Sequence, residues 1–220
     1  MKFIATLLVG SALALGANAG TLSFNFNSPL ATTEINQTGS LGLFDSSLGT
    51  LTGATIRVNG AAEFSFSGKN NASQAQSATL TSSVELFWSS SLAALTPFLG
   101  DSILMLASSG SESYAPDETK NFGPFSANGF NEDNLASILG SLQNAGGGAF
   151  NVSCQSASGM TVQGGGGNMS TTQSTQAGCG ASIEYTYDNQ VTRVPEPASM
   201  ALVGLGMLGL AASRRRARKA

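Results

Sequence analysis

The sequence contains no histidine, and charged residues make up only 10% of the chain. Without histidine, the commonest general base, the Ser-His-Asp arrangement and most transition-metal sites are excluded. The 220 residues include one tryptophan and two cysteines. Any catalysis would therefore depend on carboxylates, and any bound ion would be held by oxygen ligands.

Basic residues are scarce between the two ends of the chain. Residues 20–193 contain four basic and twelve acidic side chains, which gives this part a net charge of −8. Such a charge repels nucleic acid and anionic lipid, so nucleic acid is not an expected partner. Ser, Thr, Asn, Gln and Gly take the place of charged residues and indicate a hydrated, weakly charged surface.

The N terminus has the three parts of a secretory signal. Lys2 supplies a positive charge, Phe3–Leu15 is an apolar run, and Ala17 and Ala19 are the small residues of a cleavage site. The run is too short to span a bilayer as a permanent helix. We therefore predict export through the Sec translocon and cleavage by signal peptidase, so that residues 1–19 are removed and the mature chain begins at Gly20.

The C terminus ends in a proline motif, an apolar run and a basic cluster. Pro195 and Pro197 cannot continue a helix or strand and hold the backbone extended. The run Ala198–Ala212 would rise about 22 Å as a helix, which is short for a durable anchor. Positive charge is retained on the cytoplasmic side, so the body of the protein should face outward. The basic cluster consists of Arg214, Arg215, Arg216, Arg218 and Lys219.

This tail, residues 194–220, resembles the PEP-CTERM sorting signal in all three parts and in their order. The motif is Val194, Pro195, Glu196 and Pro197, followed by the apolar helix and the Arg-rich end. The resemblance implies recognition by an exosortase, removal of the tail from an inner-membrane intermediate, and delivery to the cell surface or an exopolysaccharide matrix. The alternative is an ordinary single-span tail anchor with a coincidental Pro-Glu-Pro.

The two cysteines both lie in the exported part. An even count in an oxidising compartment predicts one disulfide, between Cys154 and Cys179. The enclosed segment contains Gly164–Gly167 and a Ser/Thr/Gln run, which we expect to be flexible without the crosslink. A catalytic cysteine would need an activating base that this sequence lacks.

Apolar and polar residues alternate with period two over much of residues 20–193, and Gly and Asn separate the segments. The pattern predicts a mainly β domain, an antiparallel β-sandwich, in which Asn59-Gly60 forms a hairpin turn. A helical period over residues 132–143 predicts one short helix, ended by Gly146–Gly148. The predicted strand residues are Leu22, Phe24, Phe26, Ile56, Val58, Phe64, Phe66, Leu80, Val84, Leu86, Trp88, Phe150, Val152, Cys154, Ile183, Tyr185 and Tyr187.

Residues 43–53 and the closing strand 183–187 are similar to the choice-of-anchor E domain, which occurs on differing surface anchors. The resemblance implies an extracellular domain whose biochemical role is unsettled. In this interpretation Phe44 and Leu48 belong to the core, Asp45 forms a turn, and Gly49 and Gly53 have unusual backbone dihedrals.

No metal site is expected, although calcium would be the most suitable ion for the available oxygen ligands. Its candidate ligands are Glu112, Asp117, Glu118 and Asn121 in one predicted loop, and residues 131–134 in another. Sequence neighbours such as Glu132 and Asp133 point apart, so spacing alone positions no carboxylate pair. Phe87 and Trp88 face opposite ways; burial of both is expected in a covered sheet, with exposure of one as the alternative.

These observations favour a non-catalytic surface or matrix protein, associated with exopolysaccharide or biofilm. The alternative is an extracellular hydrolase that cleaves polysaccharide with carboxylates. A closed sandwich with scattered acids would favour the first interpretation. Two carboxylates in one groove would favour the second.

Overall fold

The computed structural model describes residues 19–189 and, near the C terminus, Gly206, which is helical. Residues Asn18–Asn189 form one compact unit. The predicted signal peptide up to Asn18, the sorting motif, the apolar helix apart from Gly206 and the basic cluster lie outside the described residues. Within the described part of the chain, no helix has the length and hydropathy that a membrane span requires.

The domain is built almost wholly from strands arranged in two sheets. Sheet A has the order β1-β10-β4-β7 with β2 also on β10, and sheet B has the order β6-β5-β9-β3-β8. The pairings are antiparallel except for the short parallel pair of β3 and β8. The strands are β1 (Ala19–Asn27), β2 (Ala31–Thr32), β3 (Asn36–Asp45), β4 (Gly49–Asn70), β5 (Gln76–Ser90), β6 (Ile103–Tyr114), β7 (Thr119–Asn134), β8 (Gln143–Asn144), β9 (Gly148–Gly164) and β10 (Met169–Asn189).

The core lies between the inner faces of the two sheets, as the period-two pattern predicts. Alternate residues of β4, including Ile56, Val58 and Phe64, are buried against alternate residues of β5, including Leu80 and Leu86. The mainly β, antiparallel sandwich expected from the sequence is confirmed in this part of the chain.

An aromatic cluster connects the two sheets at one end of the core. The ring of Tyr185 on β10 packs against Phe24 of β1 and Phe44 of β3, with ring centroids 6.2 and 5.9 Å apart. The Tyr185 hydroxyl donates a 2.8 Å hydrogen bond to the Gly42 carbonyl of β3. Burial raises the pKa of Tyr185, so the hydroxyl stays protonated and this bond persists at any physiological pH.

The predicted hairpin turn at Asn59-Gly60 is wrong. Both residues lie inside the 22-residue strand β4, where Gly60 is aligned with Cys179 on one side and Gly129 on the other. A Cβ at Gly60 would lie 2.0 Å from Leu86 Cδ1 of the facing sheet. Glycine is therefore required here for the close approach of two sheets and not for a turn.

The short helix predicted near residues 132–143 begins later and is tighter. Residues up to Asn134 belong to β7, and a 3₁₀ helix spans Ala136–Ser141, before Gly146–Gly148. The Asn134 side chain accepts a 2.8 Å hydrogen bond from the Ala136 N–H, and Leu135 and Leu142 anchor the segment in the core. Two further 3₁₀ helices span Ala93–Phe98 and Gly165–Gly167.

Residues 43–53 partly match their predicted roles. Phe44 is buried, and the Asp45 carboxylate accepts hydrogen bonds from the Ser47 and Gly146 N–H groups, so Asp45 forms the turn as expected. Leu48 was predicted in the core and is instead exposed, because it lies in the turn between β3 and β4. Gly49 has a positive φ of 158°, whereas Gly53 has no positive φ.

Candidate functional site

The disulfide predicted between Cys154 and Cys179 is present. Cys154 lies on β9 of sheet B and Cys179 on β10 of sheet A, so the bond connects the two sheets across the core. The residues between the cysteines are strand on both sides of the turn Gly165–Gly167, in contrast to the flexible loop expected. The crosslink therefore stabilises the packing of one sheet on the other and does not order a flexible loop.

The acidic residues considered for calcium are dispersed. Glu112 binds Lys120 at 2.8 Å, Asp117 lies 3.9 Å from Lys69, and Glu118 accepts the Ala115 N–H. Residues 131–134, expected in a loop, instead belong to β7, where their side chains alternate between the two faces. Among the residues that the structure describes, no three Asp, Glu or Cys side chains come together as metal ligands do.

The two aromatics at the end of β5 are on opposite faces. Trp88 is buried beside the disulfide, whereas Phe87 is 45% exposed on the outer face of sheet B. The expected burial of both rings is therefore wrong, because nothing in the described residues covers that face at Phe87. Leu104 and Leu106 of β6 are exposed on the same face.

The most distinctive surface feature lies on the outer face of sheet A, in a region that sequence patterns did not single out. A depression of about 580 Å³ is open to solvent there and is within the size range of small-molecule sites. It is lined by Asn27, Arg57, Asn59, Gly60, Ala61, Asn128, Gly129 and Phe130. We call it the Phe130 depression.

Phe130 is 56% exposed, and its orientation depends on a bulge in β7. The pairing of β7 with β4 shifts register at Gly123, whose φ is +100° and whose Cβ would lie 2.3 Å from the Phe64 carbonyl oxygen. Before the bulge Phe122 packs against the core, and after it Ala127 does, whereas Phe125 at the bulge is 37% exposed. The extra residue changes the alternation, so that Phe130 points outward.

A row of partners across four strands places the rest of the site. Asn27 of β1, Gly180 of β10, Asn59 of β4 and Phe130 of β7 are consecutive cross-strand neighbours. A Cβ at Gly180 would lie 2.7 Å from Asn27 Oδ1 and 3.2 Å from Asn59 Nδ2. The glycine therefore leaves room for the two amides to converge above it.

Arg57 links the depression to a second hollow. Its guanidinium lies 3.7 Å from the centroid of the Phe130 ring and 3.7 Å from the Glu132 carboxylate. The adjoining hollow, of about 300 Å³, is lined by Thr55, Arg57, Glu132, Ser182 and Glu184. A cation over an aromatic face contributes about 0.5–1 kcal/mol at an exposed site, which holds the ring in place.

Comparisons with known proteins identify the C-terminal tail. Residues 193–216 match the PEP-CTERM protein-sorting motif. The chain thus carries the sorting signal of a secreted, membrane-transiting protein that reaches the cell surface, with an exosortase as its processing partner. The match covers the tail alone and does not extend to the described domain. A comparison with curated proteins gives no match.

Some solved structures that align with the chain come from virus particles. An IBDV T13 particle protein aligns at 10% identity and TM-score 0.20, covering 97% of this chain and 51% of that chain. A mud crab tombus-like virus protein aligns at 9% identity and TM-score 0.23, covering 91% and 94%. This chain thus spans about half the length of the first of these. At such TM-scores the alignments carry no argument about fold or function.

Proposed function

We propose that this protein is a non-catalytic component of the cell surface or extracellular matrix, sorted by an exosortase and associated with exopolysaccharide. The observation that carries the proposal is the sorting motif at residues 193–216, which follows directly on a closed, crosslinked β domain. An inter-sheet disulfide suits a protein whose working environment is outside the cell.

Delivery would take place in two cleavages. The Sec translocon exports the chain, and signal peptidase cuts between Ala19 and Gly20. The apolar run Ala198–Ala212 then halts in the inner membrane with the basic cluster inside, because Arg and Lys are retained on the cytoplasmic side. The exosortase reads Pro195-Glu196-Pro197 and releases the body of the protein to the surface.

The described domain supports a binding role better than a catalytic one. Glu132 and Asp133 are consecutive on β7 and point to opposite faces of the strand, and Asp117 and Glu118 lie in a turn. The Glu132 side chain is half exposed and lies 3.7 Å from Arg57, so it is solvated and faces a cation and does not lie in an enclosed cleft. A polar outer sheet face with one exposed aromatic is instead suited to weak contact with sugars.

The sorting step can be tested by changing Pro195, Glu196 and Pro197 to alanine in the producing cell. The native protein should lose the mass of both signals and appear at the surface. The variant should lose only the N-terminal signal and remain in the inner membrane, because its apolar run and charges are intact. Intact-mass analysis of membrane and surface fractions measures both.

The matched control changes the adjacent residues Ser199 and Met200 to alanine and leaves the motif untouched; it should be processed like the native protein. A chain that ends at Arg193 should be released without a membrane stage. Equal mass and location for the native protein and the triple-alanine variant would refute sorting by an exosortase. The protein would then be a membrane-tethered β domain.

A hydrolase is the second candidate, and one observation favours it: Glu132 and Glu184 line the same hollow. If these carboxylates cleave polysaccharide, the full chain should release reducing ends from exopolysaccharide of the producing cells. The substitutions Glu132→Gln and Glu184→Gln should each abolish that release. Release that survives both substitutions would exclude this pair, and no release by the native chain would support the binding role.

A further inference from the structure

We propose that the Phe130 depression binds a neutral carbohydrate chain, through stacking of a sugar ring on Phe130 and hydrogen bonds to three asparagine amides. This inference rests on the proposed association with exopolysaccharide and assigns it a site and a ligand class. The alternating CH face of a pyranose is apolar and its rim carries hydroxyls, so a sugar needs an aromatic platform beside polar groups.

Phe130 has the properties of such a platform. More than half of its side chain is exposed, and the Arg57 guanidinium at 3.7 Å fixes the ring without covering it fully. An isolated exposed phenylalanine contributes nothing to the core. The bulge at Gly123 that turns Phe130 outward therefore presents apolar surface that the fold itself does not need.

Three amides provide the hydrogen-bonding groups. Asn27, Asn59 and Asn128 line the depression, and no side-chain hydrogen bond joins any of them to another residue in 19–189. Each amide offers both a donor and an acceptor, as sugar hydroxyls require. Asn27 and Phe130 are three strands apart, roughly 14 Å, so the site accommodates more than one sugar ring along the row.

The floor of the depression is held rigidly by the facing sheet. Gly60 and Gly129 are cross-strand partners beneath it, and a Cβ on them would lie 2.0 Å from Leu86 and 2.4 Å from Ile103. Side chains of sheet B thus press directly against the backbone that carries Asn59 and Phe130. The site needs little ordering when it binds, which favours affinity.

The charges indicate a neutral ligand and not a polyuronate. Among the residues lining the depression, Arg57 alone is charged, and its guanidinium already faces Glu132 and Phe130. Glu132 and Glu184 lie in the adjoining hollow, and residues 20–193 carry a net charge of −8. A polyanion would meet repulsion with no free cation in the depression to offset it.

The test is native affinity electrophoresis of the full chain in detergent, in gels containing barley β-glucan, dextran or polygalacturonate. At least one neutral glucan should retard the native protein, and polygalacturonate should not. Phe130→Ala and Phe130→Leu should weaken the retardation about tenfold, because neither side chain offers a flat ring. Phe130→Trp should retain it within about threefold, and Asn59→Ala should weaken it about tenfold.

Phe87→Ala is the matched control, because Phe87 is similarly exposed on the outer face of the other sheet. This variant should be retarded as strongly as the native protein. Equal melting temperatures for all variants would show that folding is unaffected. Loss of retardation with Phe87→Ala and not with Phe130→Ala would overturn the site. Retardation by polygalacturonate alone would overturn the neutral-ligand assignment. Absence of retardation in every gel would overturn the proposed sugar site. The sorting function is tested separately: if the Phe130 variants still reach the cell surface, sorting does not depend on this site.

Discussion

The two outer faces of the sandwich differ although the inner faces are alike. Around the Phe130 depression, sheet A presents Asn side chains beside the exposed ring of Phe130, which lies against the Arg57 guanidinium. Sheet B presents an apolar group of Phe87, Leu104 and Leu106. Both sheets alternate apolar residues inward, and that alternation alone is sufficient to bury a core.

The difference separates residues that the fold needs for stability from residues that are free to serve in binding. Inward positions determine stability, because they exclude water from the layer between the sheets. Outward positions contribute little to that layer, so their composition can vary with function.

Neighbouring residues of β6 give the sharpest contrast between inward and outward positions. Met105 is 3% exposed in the core and Leu104 is 57% exposed. Met105→Ala should reduce the free energy of unfolding by about 2–5 kcal/mol, and Leu104→Ala by less than about 0.5 kcal/mol. Urea denaturation measures both. Similar losses at the two positions would show that the outer face of sheet B is not solvent-exposed.

The disulfide joins the two sheets, so its loss should lower the stability of the whole sandwich. Replacing Cys154 and Cys179 with alanine should reduce the free energy of unfolding by about 2–4 kcal/mol, since the unfolded chain loses a crosslink. Reductant should lower the melting temperature of the native protein and leave that of the double variant unchanged. If reductant has no effect on either protein, the cysteines are not bonded in the exported domain.

Two glycines on β4 differ in whether the structure leaves room for a side chain: Gly60 packs against the facing sheet, and Gly53 has space for a Cβ. Gly60→Ala should cost about 1–3 kcal/mol, because its Cβ would overlap Leu86. Gly53→Ala is the matched control on the same strand: its Cβ would lie 3.7 Å from the nearest atom, and its stability should change little. Equal melting temperatures for the two variants would contradict the close packing under the Phe130 depression.

The smallest effect concerns Asp45, which joins the turn after β3 to Gly146. Hydrogen bonds from the Ser47 N–H and side chain and from the Gly146 N–H lower the pKa of the Asp45 carboxyl. The folded state therefore binds this proton less readily, so the contribution is present above the unfolded pKa near 3.9 and is lost as pH falls through the lower folded value. Asp45→Asn should slightly flatten the decrease in unfolding free energy at acid pH, which urea denaturation at a series of pH values measures. Overlapping acid limbs for the native and Asp45→Asn proteins would rule out this role.

Sequence patterns predicted the strands whose inward residues are large and apolar. Phe64 and Phe66 of β4 and Ile183 and Tyr185 of β10 alternate clearly, and the structure buries all four. Strand β7 gave no such signal, because Ala127, Gly129 and Asn131 occupy its inward positions after the bulge. Ile103, Met105 and Ala107 do alternate on β6 and could have revealed that strand.

Local turn chemistry was the main source of error. Asn59-Gly60 is a favourable turn dipeptide, yet neighbours on both sides and a facing leucine make straight pairing more stable. There long-range pairing outweighed a short-range preference. Leu48 is the reverse case: its apolar side chain was expected in the core, and the local turn at Asp45 exposes it.

The sequence by itself determined features that can be read from neighbouring residues or from the number of residues of one type. The sorting tail is recognisable from contiguous residues, the disulfide from an even number of cysteines, and the β class from alternation. The Phe130 depression was decided only by the tertiary structure. Its residues come from β1, β4 and β7, which are adjacent only because β10 pairs with both β1 and β4, and β7 pairs with β4. No sequence spacing encodes that adjacency, since it arises when two sheets close over one core.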